Sequence, residues 1–303
     1  MTKLVLVEGF SGTGKSTTAQ WLAIQWGRQG RPCRWVYEHQ KSHPVCGVPS
    51  DIEHRTWDEF FEERLAQWVS FTAGAQASGT LTILESAFLQ HLIMVLLRRE
   101  VAADTIVAFI RRIGEAIRPL DPRLVYFLEP HPDMAYREIC GRRGPAWTQT
   151  VLGYFESSPF SERRGLRGFD GLLAYWREHN TVADRAVAEL DIGKLVVDPR
   201  RGDWTWRRSE IARFLELRLA PDSPRAEAEL ARYVGRYRVA WNGQIHECSV
   251  TLEDGTLLLH DLLWPANRLI WKDTNVFYAE SWPVELIFEQ DALGTIRSLT
   301  TRV

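Results

Sequence analysis

Over the first two thirds of the chain, short and nearly unbroken apolar runs alternate with longer helical segments. Lys3 to Glu8, Arg34 to Tyr37, Leu81 to Leu84, Leu124 to Leu128 and Lys194 to Val197 lack the apolar–polar alternation of a strand with one wet face. Such runs predict parallel strands covered by helices on both sides. The helices between them have readable ends. Thr56-Trp57-Asp58-Glu59 has the spacing of a capping box, and Trp57, Phe61, Leu65, Trp68 and Thr72 follow on one helical face. Asp104 is placed to open another helix, with Val107, Ile110, Gly114 and Ile117 on one side and Pro119 as its stop. Asp203 is placed to cap a last helix through Ile211 and Leu215. The alternation predicts an α/β domain with a doubly wound parallel sheet of about five strands.

Near residue 225 the period shortens to that of strands. Val234 to Val239, Gln244 to Leu252, Thr256 to His260, Leu269 to Trp271, Val276 to Glu280, Val284 to Glu289 and Thr295 to Thr301 are separated by turn signals such as Glu253-Asp254-Gly255 and Trp241-Asn242-Gly243. They predict an antiparallel meander, a small barrel or a half-open sheet. Pro221 and Pro224 bracket the junction and suggest a linker at 221–228 between domains at 1–220 and 229–303. The length of 303 residues fits two domains without requiring them.

Charge changes this picture little. The net charge is −2, with 30 basic and 29 acidic residues before Glu229 and 7 and 10 from it onward. That balance argues against retention on nucleic acid by bulk charge. The longest clean apolar run, Leu92 to Leu97, is too short to span a bilayer, and Glu8 interrupts the apolar N-terminus too early for a signal peptide. A cytoplasmic protein is the expectation. Cys33, Cys46, Cys140 and Cys248 lie far apart without zinc-like spacing, as expected of free thiols in a reducing compartment.

The chemistry lies directly after the first apolar run. Gly9-Phe10-Ser11-Gly12-Thr13-Gly14-Lys15-Ser16 matches G-x-x-x-x-G-K-[ST] in full, and Thr17 continues into a predicted helix. In this motif the loop curls so that backbone N–H groups cradle phosphates at a helix N-terminus. The lysine reaches the β and γ phosphates and the hydroxyl ligates Mg²⁺. Binding of a nucleoside triphosphate with Mg²⁺ follows, ATP being the expected donor. The open α/β sheet places ligands at the carboxyl ends of its strands, where Glu38 and Glu85 stand after the second and third runs. Phosphoryl transfer needs carboxylates near the acceptor and the metal, together with cations for the transferring group. The segment from Arg137 to Gly168 carries Arg137, Arg142, Arg143, Arg163, Arg164 and Arg167 among glycines and prolines, the composition of a lid over phosphates. Arg137, Arg142 and Arg143 share one predicted helix.

These residues resemble the thymidylate kinase and deoxynucleoside kinase group of P-loop kinases. The likeness covers residues 1 to 218: the loop and Val7-Glu8-Gly9 before it, Glu38, Ile83-Leu84-Glu85-Ser86, Asp121 to Leu128, Pro132 to Arg143 and Leu195 to Trp204. It implies Glu38 as the base, Glu85 as the acidic residue near metal and acceptor, and Arg142 and Arg143 as lid arginines. Ser86 stands where that group usually has Arg, which leaves the acceptor open to a nucleoside, a nucleotide, a sugar or an antibiotic. Trp57, Phe60, Phe61, Gln67 and Trp68 are candidates to line an aromatic acceptor pocket, or are plain core. The C-terminal meander more loosely resembles lipocalin-like β domains through Tyr233 to Tyr237 and Leu252 to Gly255. Acceptor binding, lid support and pairing as a homodimer are the roles open to it. The expectation is an ATP- and Mg²⁺-dependent kinase acting on a small-molecule hydroxyl; the alternatives are a nucleotide-dependent regulator whose β domain binds a partner, and a sulfotransferase.

Overall fold

The computed structural model describes residues 1–47, 56–220, 225–241, 243–263 and 266–302. The chain divides into two compact units, Met1–Leu219 and Ala220–Val303.

In the first unit, β1 (Leu4–Gly9), β2 (Cys33–Val36), β3 (Leu81–Glu85), β4 (Arg123–Phe127) and β5 (Gly193–Val197) form one sheet in the order β2-β3-β1-β4-β5. Every pairing is parallel. The apolar runs are continuous because both faces are covered. Leu4, Leu6, Leu124 and Tyr126 enter one buried cluster, whereas Val5, Val7, Val125 and Phe127 enter the other. The larger cluster is covered by α2 (Trp57–Ser78), α3 (Gln90–Leu97), α4 (Ala103–Ile117) and α8 (Gly168–Glu189), the smaller by α1 (Lys15–Arg28) and α9 (Trp204–Phe214). Between β4 and α8 the chain forms α5 (Pro132–Arg143), α6 (Pro145–Glu156) and α7 (Pro159–Arg164).

The capping box forms as read: Glu59 N donates to Thr56 Oγ1, and Glu59 Oε2 accepts from Thr56 N. Asp203 caps α9 by accepting from Trp206 N at 2.8 Å. Asp104 does not cap α4. Ala102 holds that position, and the Asp104 carboxylate pairs with Arg185 of α8 at 2.6 Å. The helix does end ahead of Pro119, at Ile117, and Pro119 sits inside the 3₁₀ turn Arg118–Leu120 that follows, where its missing N–H costs nothing. The prolines of the expected linker, Pro221 and Pro224, lie outside the described residues.

The second unit starts with a short helix, α10 (Glu227–Leu230), and a 3₁₀ turn, Ala231–Tyr233, where only linker and sheet were expected. Seven antiparallel strands follow in chain order: β6 (Gly235–Trp241), β7 (Gln244–Glu253), β8 (Thr256–His260), β9 (Asn267–Asp273), β10 (Val276–Ala279), β11 (Glu285–Gln290) and β12 (Ile296–Arg302). The sheet curls until its ends approach, and Thr301 Oγ1 donates to Ala240 O at 3.2 Å, making a nearly closed barrel. Tyr233 plugs the interior. Its ring lies 4.9 Å from both Phe277 and Phe288, and its hydroxyl donates to Asn275 Oδ1 at 2.9 Å. Burying three aromatic rings together supplies most of what so small a core can gain.

Candidate active site

Because β1 has β3 on one side and β4 on the other, the chain leaves its C-terminal end at the point where the order of strands reverses. An open α/β sheet has its ligand crevice there. The loop from Gly9 to Ser16 occupies this point. Gly12 and Gly14 take φ of 76° and 95°, a region that favours glycine. Space makes the same demand. A Cβ on Gly12 would lie 2.6 Å from the Ile139 side chain of α5, and one on Gly14 would lie 2.6 Å from the Trp204 ring of α9. Thr13 Oγ1 and Lys15 Nζ both donate to Phe10 O, at 2.8 and 2.7 Å. The loop is thereby closed over its own lysine, while Ser11, Gly12 and Gly14 remain partly open to solvent.

Four ionisable side chains, Glu8, Lys15, Glu38 and Glu85, converge beneath it. The β1–β3 register pairs Val7 with Glu85, which brings the last residue of β3 beside the loop, and Ser16 Oγ donates to Glu85 Oε1 at 2.5 Å. Glu85 Oε2 is buried and has no hydrogen-bond partner among the described residues. Burial, reinforced by the charge of Glu38, pushes the Glu85 carboxyl up to about 8. Lys15 is held below its ordinary value by burial, against the upward pull of Glu38, Glu85 and Glu8. A hydroxyl and a carboxylate with an unpaired oxygen form a hard-oxygen donor set of the kind Mg²⁺ takes, completed by phosphate and water. Ser16 and Glu85 therefore fit that ion. Among the described residues no three His, Cys, Asp or Glu side chains form a closed metal cage.

Glu8 is the member that motif spacing did not single out. Its carboxylate leaves β1 fully buried and accepts from Phe88 N at 2.7 Å and Gln90 N at 3.1 Å. It fastens the turn after β3, in which Ser86 has a φ of 58°, and so holds Glu85 in place. Burial raises its pKa to about 7 against the opposing N–H bonds. A lone carboxylate inside an otherwise apolar strand is the signal by which it can be found.

Glu38 lies just past β2. Its Oε1 meets His39 Nε2 at 3.2 Å and its Oε2 accepts from Gln90 Nε2 at 3.3 Å. Burial pushes this carboxyl up, but His39 and Lys15 outweigh it, and Glu38 sits below its ordinary value. The fold thus brings Lys15, Ser16, Glu38 and Glu85 together.

The arginines divide. Arg142 of α5 stands over the loop, with Nη2 3.3 Å from the Cβ position of Gly12. Arg143 stacks on Trp147 at 4.6 Å, and its charge faces Glu38, Tyr136 and Tyr37. Arg137, by contrast, pairs with Asp170 at 3.5 Å and lies over Phe169, at the start of α8. Arg164 pairs with Glu100 and Glu178, and Arg167 donates to Ser161 Oγ and Leu166 O. The base of the expected lid is seated on the loop: Phe10 meets Tyr136 edge-on at 6.2 Å and Trp176 at 5.6 Å, and those two rings stack at 5.0 Å.

The aromatic residues considered for an acceptor pocket are mostly core. Phe60, Phe61 and Trp68 are buried, with Phe61 against Phe109 at 4.5 Å and Trp68 against Phe88 at 5.8 Å. Arg64, from the same helix, is buried and donates to Val45 O and Gly47 O, tying down the chain after Glu38. All four cysteines are free, and among the described residues no helix is long and apolar enough to cross a membrane.

The first unit is an α/β fold of the P-loop NTPase-like kind, and the second is a nearly closed antiparallel barrel. No protein-family model matches the chain, and no curated protein matches it. Among solved structures, the YorR protein of Bacillus subtilis in complex with phosphorylated GDP is 13% identical, with 71% of this chain and 96% of that one covered and a TM-score of 0.38. A GTPase in apo form from Pyrococcus abyssi is 14% identical over 71% and 96%, with a TM-score of 0.24. The signal recognition particle 54 kDa protein of Aeropyrum pernix K1 in complex with GDP is 17% identical over 71% and 48%, with a TM-score of 0.25. At these identities and scores none of them bears on what this chain does.

Proposed function

We propose that the chain is a small-molecule kinase that transfers the γ-phosphoryl group of ATP to a hydroxyl with the help of Mg²⁺. The observation that carries this reading is Glu38, a carboxylate held below its ordinary pKa beside Lys15, in addition to the Ser16–Glu85 pair that suits the metal. Binding and hydrolysis of a nucleotide call for a loop and a metal pair; an additional ionised carboxylate beside them suits an acceptor whose proton must be taken.

In this reading the loop amides and Lys15 hold the donor phosphates. To bind them, Lys15 gives up its bond to Phe10 O. Ser16 and Glu85 hold Mg²⁺, which when bound screens the phosphate charge. Arg142 and Arg143 stabilise charge on the transferring group from above, and Glu38 orients the acceptor hydroxyl and receives its proton as the new oxygen–phosphorus bond forms and the bond from the γ-phosphorus to the β–γ bridging oxygen breaks, releasing ADP. With serine at position 86, no arginine follows Glu85, and contact with the acceptor falls to the loop after β2 and to α5.

Glu38→Gln tests the assignment. Acceptor-dependent ATP consumption should fall by at least tenfold, within the range of about 10²–10⁴ that general base catalysis supplies, while ATP binding persists. An unchanged rate removes Glu38 from the role. Turnover that needs no acceptor and responds to a protein partner favours a regulator instead.

A further inference from the structure

Glu38 is paired with a residue of unusual placement. The His39 side chain is 74% exposed, yet its Nε2 lies 3.2 Å from Oε1 of a Glu38 side chain that is only 22% exposed. An exposed side chain ordinarily loses conformational freedom to hold such a contact, and the gain is small. Here the ring is held from below by an aromatic ladder, with Trp35 edge-on to Tyr37 at 5.9 Å and Tyr37 edge-on to His39 at 5.5 Å. Gln90 Nε2 takes the other carboxylate oxygen.

The charges around Glu38 single out His39. From the loop comes Lys15, from the end of β3 comes Glu85, and from α5 comes Arg143. His43 and His91 also face it, but burial above all, with the charge of Arg64 in support, lowers both to about 4, so they are neutral near pH 7. The Tyr37 phenol is pushed up by burial and stays neutral. Lys15 and Arg143 are shared with the phosphates in the proposed reaction, which leaves His39 as the cation dedicated to Glu38. Its own pKa is raised, first by the hydrogen bond to Glu38.

We propose that His39 is a positioning residue for Glu38: seated on Oε1 from the solvent side, its imidazolium keeps the carboxylate charged and turned toward the acceptor hydroxyl. This rests on the kinase reading above, and the test separates the two. In His39→Asn the cation is gone and burial is opposed by less, so the Glu38 midpoint rises by about 1–3 units, the effect of one close opposite charge. Carbon-13 NMR titration of the unliganded protein, with the Glu38 signal assigned by Glu38→Gln, reads that rise without any catalysis. In activity the acid limb moves upward by the same amount, with the KM for ATP unchanged. His39→Lys, which restores a cation, returns both. An unmoved Glu38 midpoint, or superimposable pH profiles, overturns the proposal while leaving the kinase reading intact. A shifted midpoint in a protein that phosphorylates none of a panel of nucleosides, nucleotides, sugars and aminoglycosides overturns the kinase reading, and with it the role given to His39.

Discussion

The interiors of the two units are built from different materials. Among the described residues, Asn267 is the one buried polar side chain in the β unit, whereas the α/β unit buries Glu8, Lys15, Arg64, Glu85, Glu129 and His179 besides several neutral polar groups. The β unit keeps its ion pairs outside, as with Glu285 of β11 between Arg302 of the neighbouring β12 and Lys272 of β9, two strands away. Burying a charge costs several kcal/mol even when it is paired. Three buried ionisable groups around one loop therefore oppose stability and call for a use, while an aromatic interior calls for none beyond packing. The difference places the candidate site in the first unit.

The largest expected effect tests the structural side of this contrast. Phe277→Ala empties the middle of the barrel core, and a buried Phe→Ala change costs about 3–5 kcal/mol. Hydrogen exchange should lose protection across β9 to β11 while ATP still protects the amides of the P-loop. If the ATP response vanishes as well, the β unit is part of the nucleotide site and the contrast fails.

Next in size comes Lys15→Ala. Removing one preorganised charge from a developing anion costs about 10²–10³ in rate. We expect a loss of that order in acceptor phosphorylation and disappearance of the ATP-induced rise in Tm. The variant also relieves the burial of a cation, so the unliganded protein should not lose stability. A large drop in the Tm of the unliganded protein would mean that Lys15 is structural.

The two sides of the contrast were not equally legible in the chain. The five parallel strands, the loop and the seven-stranded meander follow from local patterns, because burial on both faces writes continuous apolar runs and burial on one face writes alternation. Glu38 and Glu85 were legible as strand-end carboxylates. Gln90 and Trp204 were not, because their places arise from which strand lies beside which and how the turn after β3 is folded, and the contact of His39 with its neighbour Glu38 depends on the rings packed beneath it. The arginines show the limit most clearly. Six in one segment suggested a single function, yet Arg137, Arg164 and Arg167 are engaged with residues around α7 and α8 and with Glu100, and it is the end of α5 that carries Arg142 to the loop and Arg143 toward Glu38. Charge density marks a segment, but packing decides which member faces the loop.

The smallest effect is the most discriminating, because it has opposite signs in the two units. Glu85, raised to about 8 from an ordinary 4.5, holds a proton in the folded state that the unfolded chain has already released. Between those values the native state binds more protons, so stability falls as pH rises. Glu285 behaves in reverse. Burial pushes it up, but Lys272 and Arg302 outweigh that and hold it below its ordinary value, so its contribution is present at neutral pH and is lost as pH falls. Raising the pH from about 5 to 8 should therefore lower the Tm of the parent relative to Glu85→Gln, each 1 kcal/mol lost being worth roughly 2–4 °C in a domain of this size. Hydrogen exchange should place the weakening on β1 and β3 and leave β11 and β12 unchanged. If Glu85 is also a Mg²⁺ ligand, the ion must displace that proton, so Mg·ATP affinity should rise with pH across the same window in the parent and stay flat in Glu85→Gln. A pH-independent affinity in the parent would separate the raised carboxyl from the metal and leave Glu85 as a buried acid whose bond to Ser16 is structural.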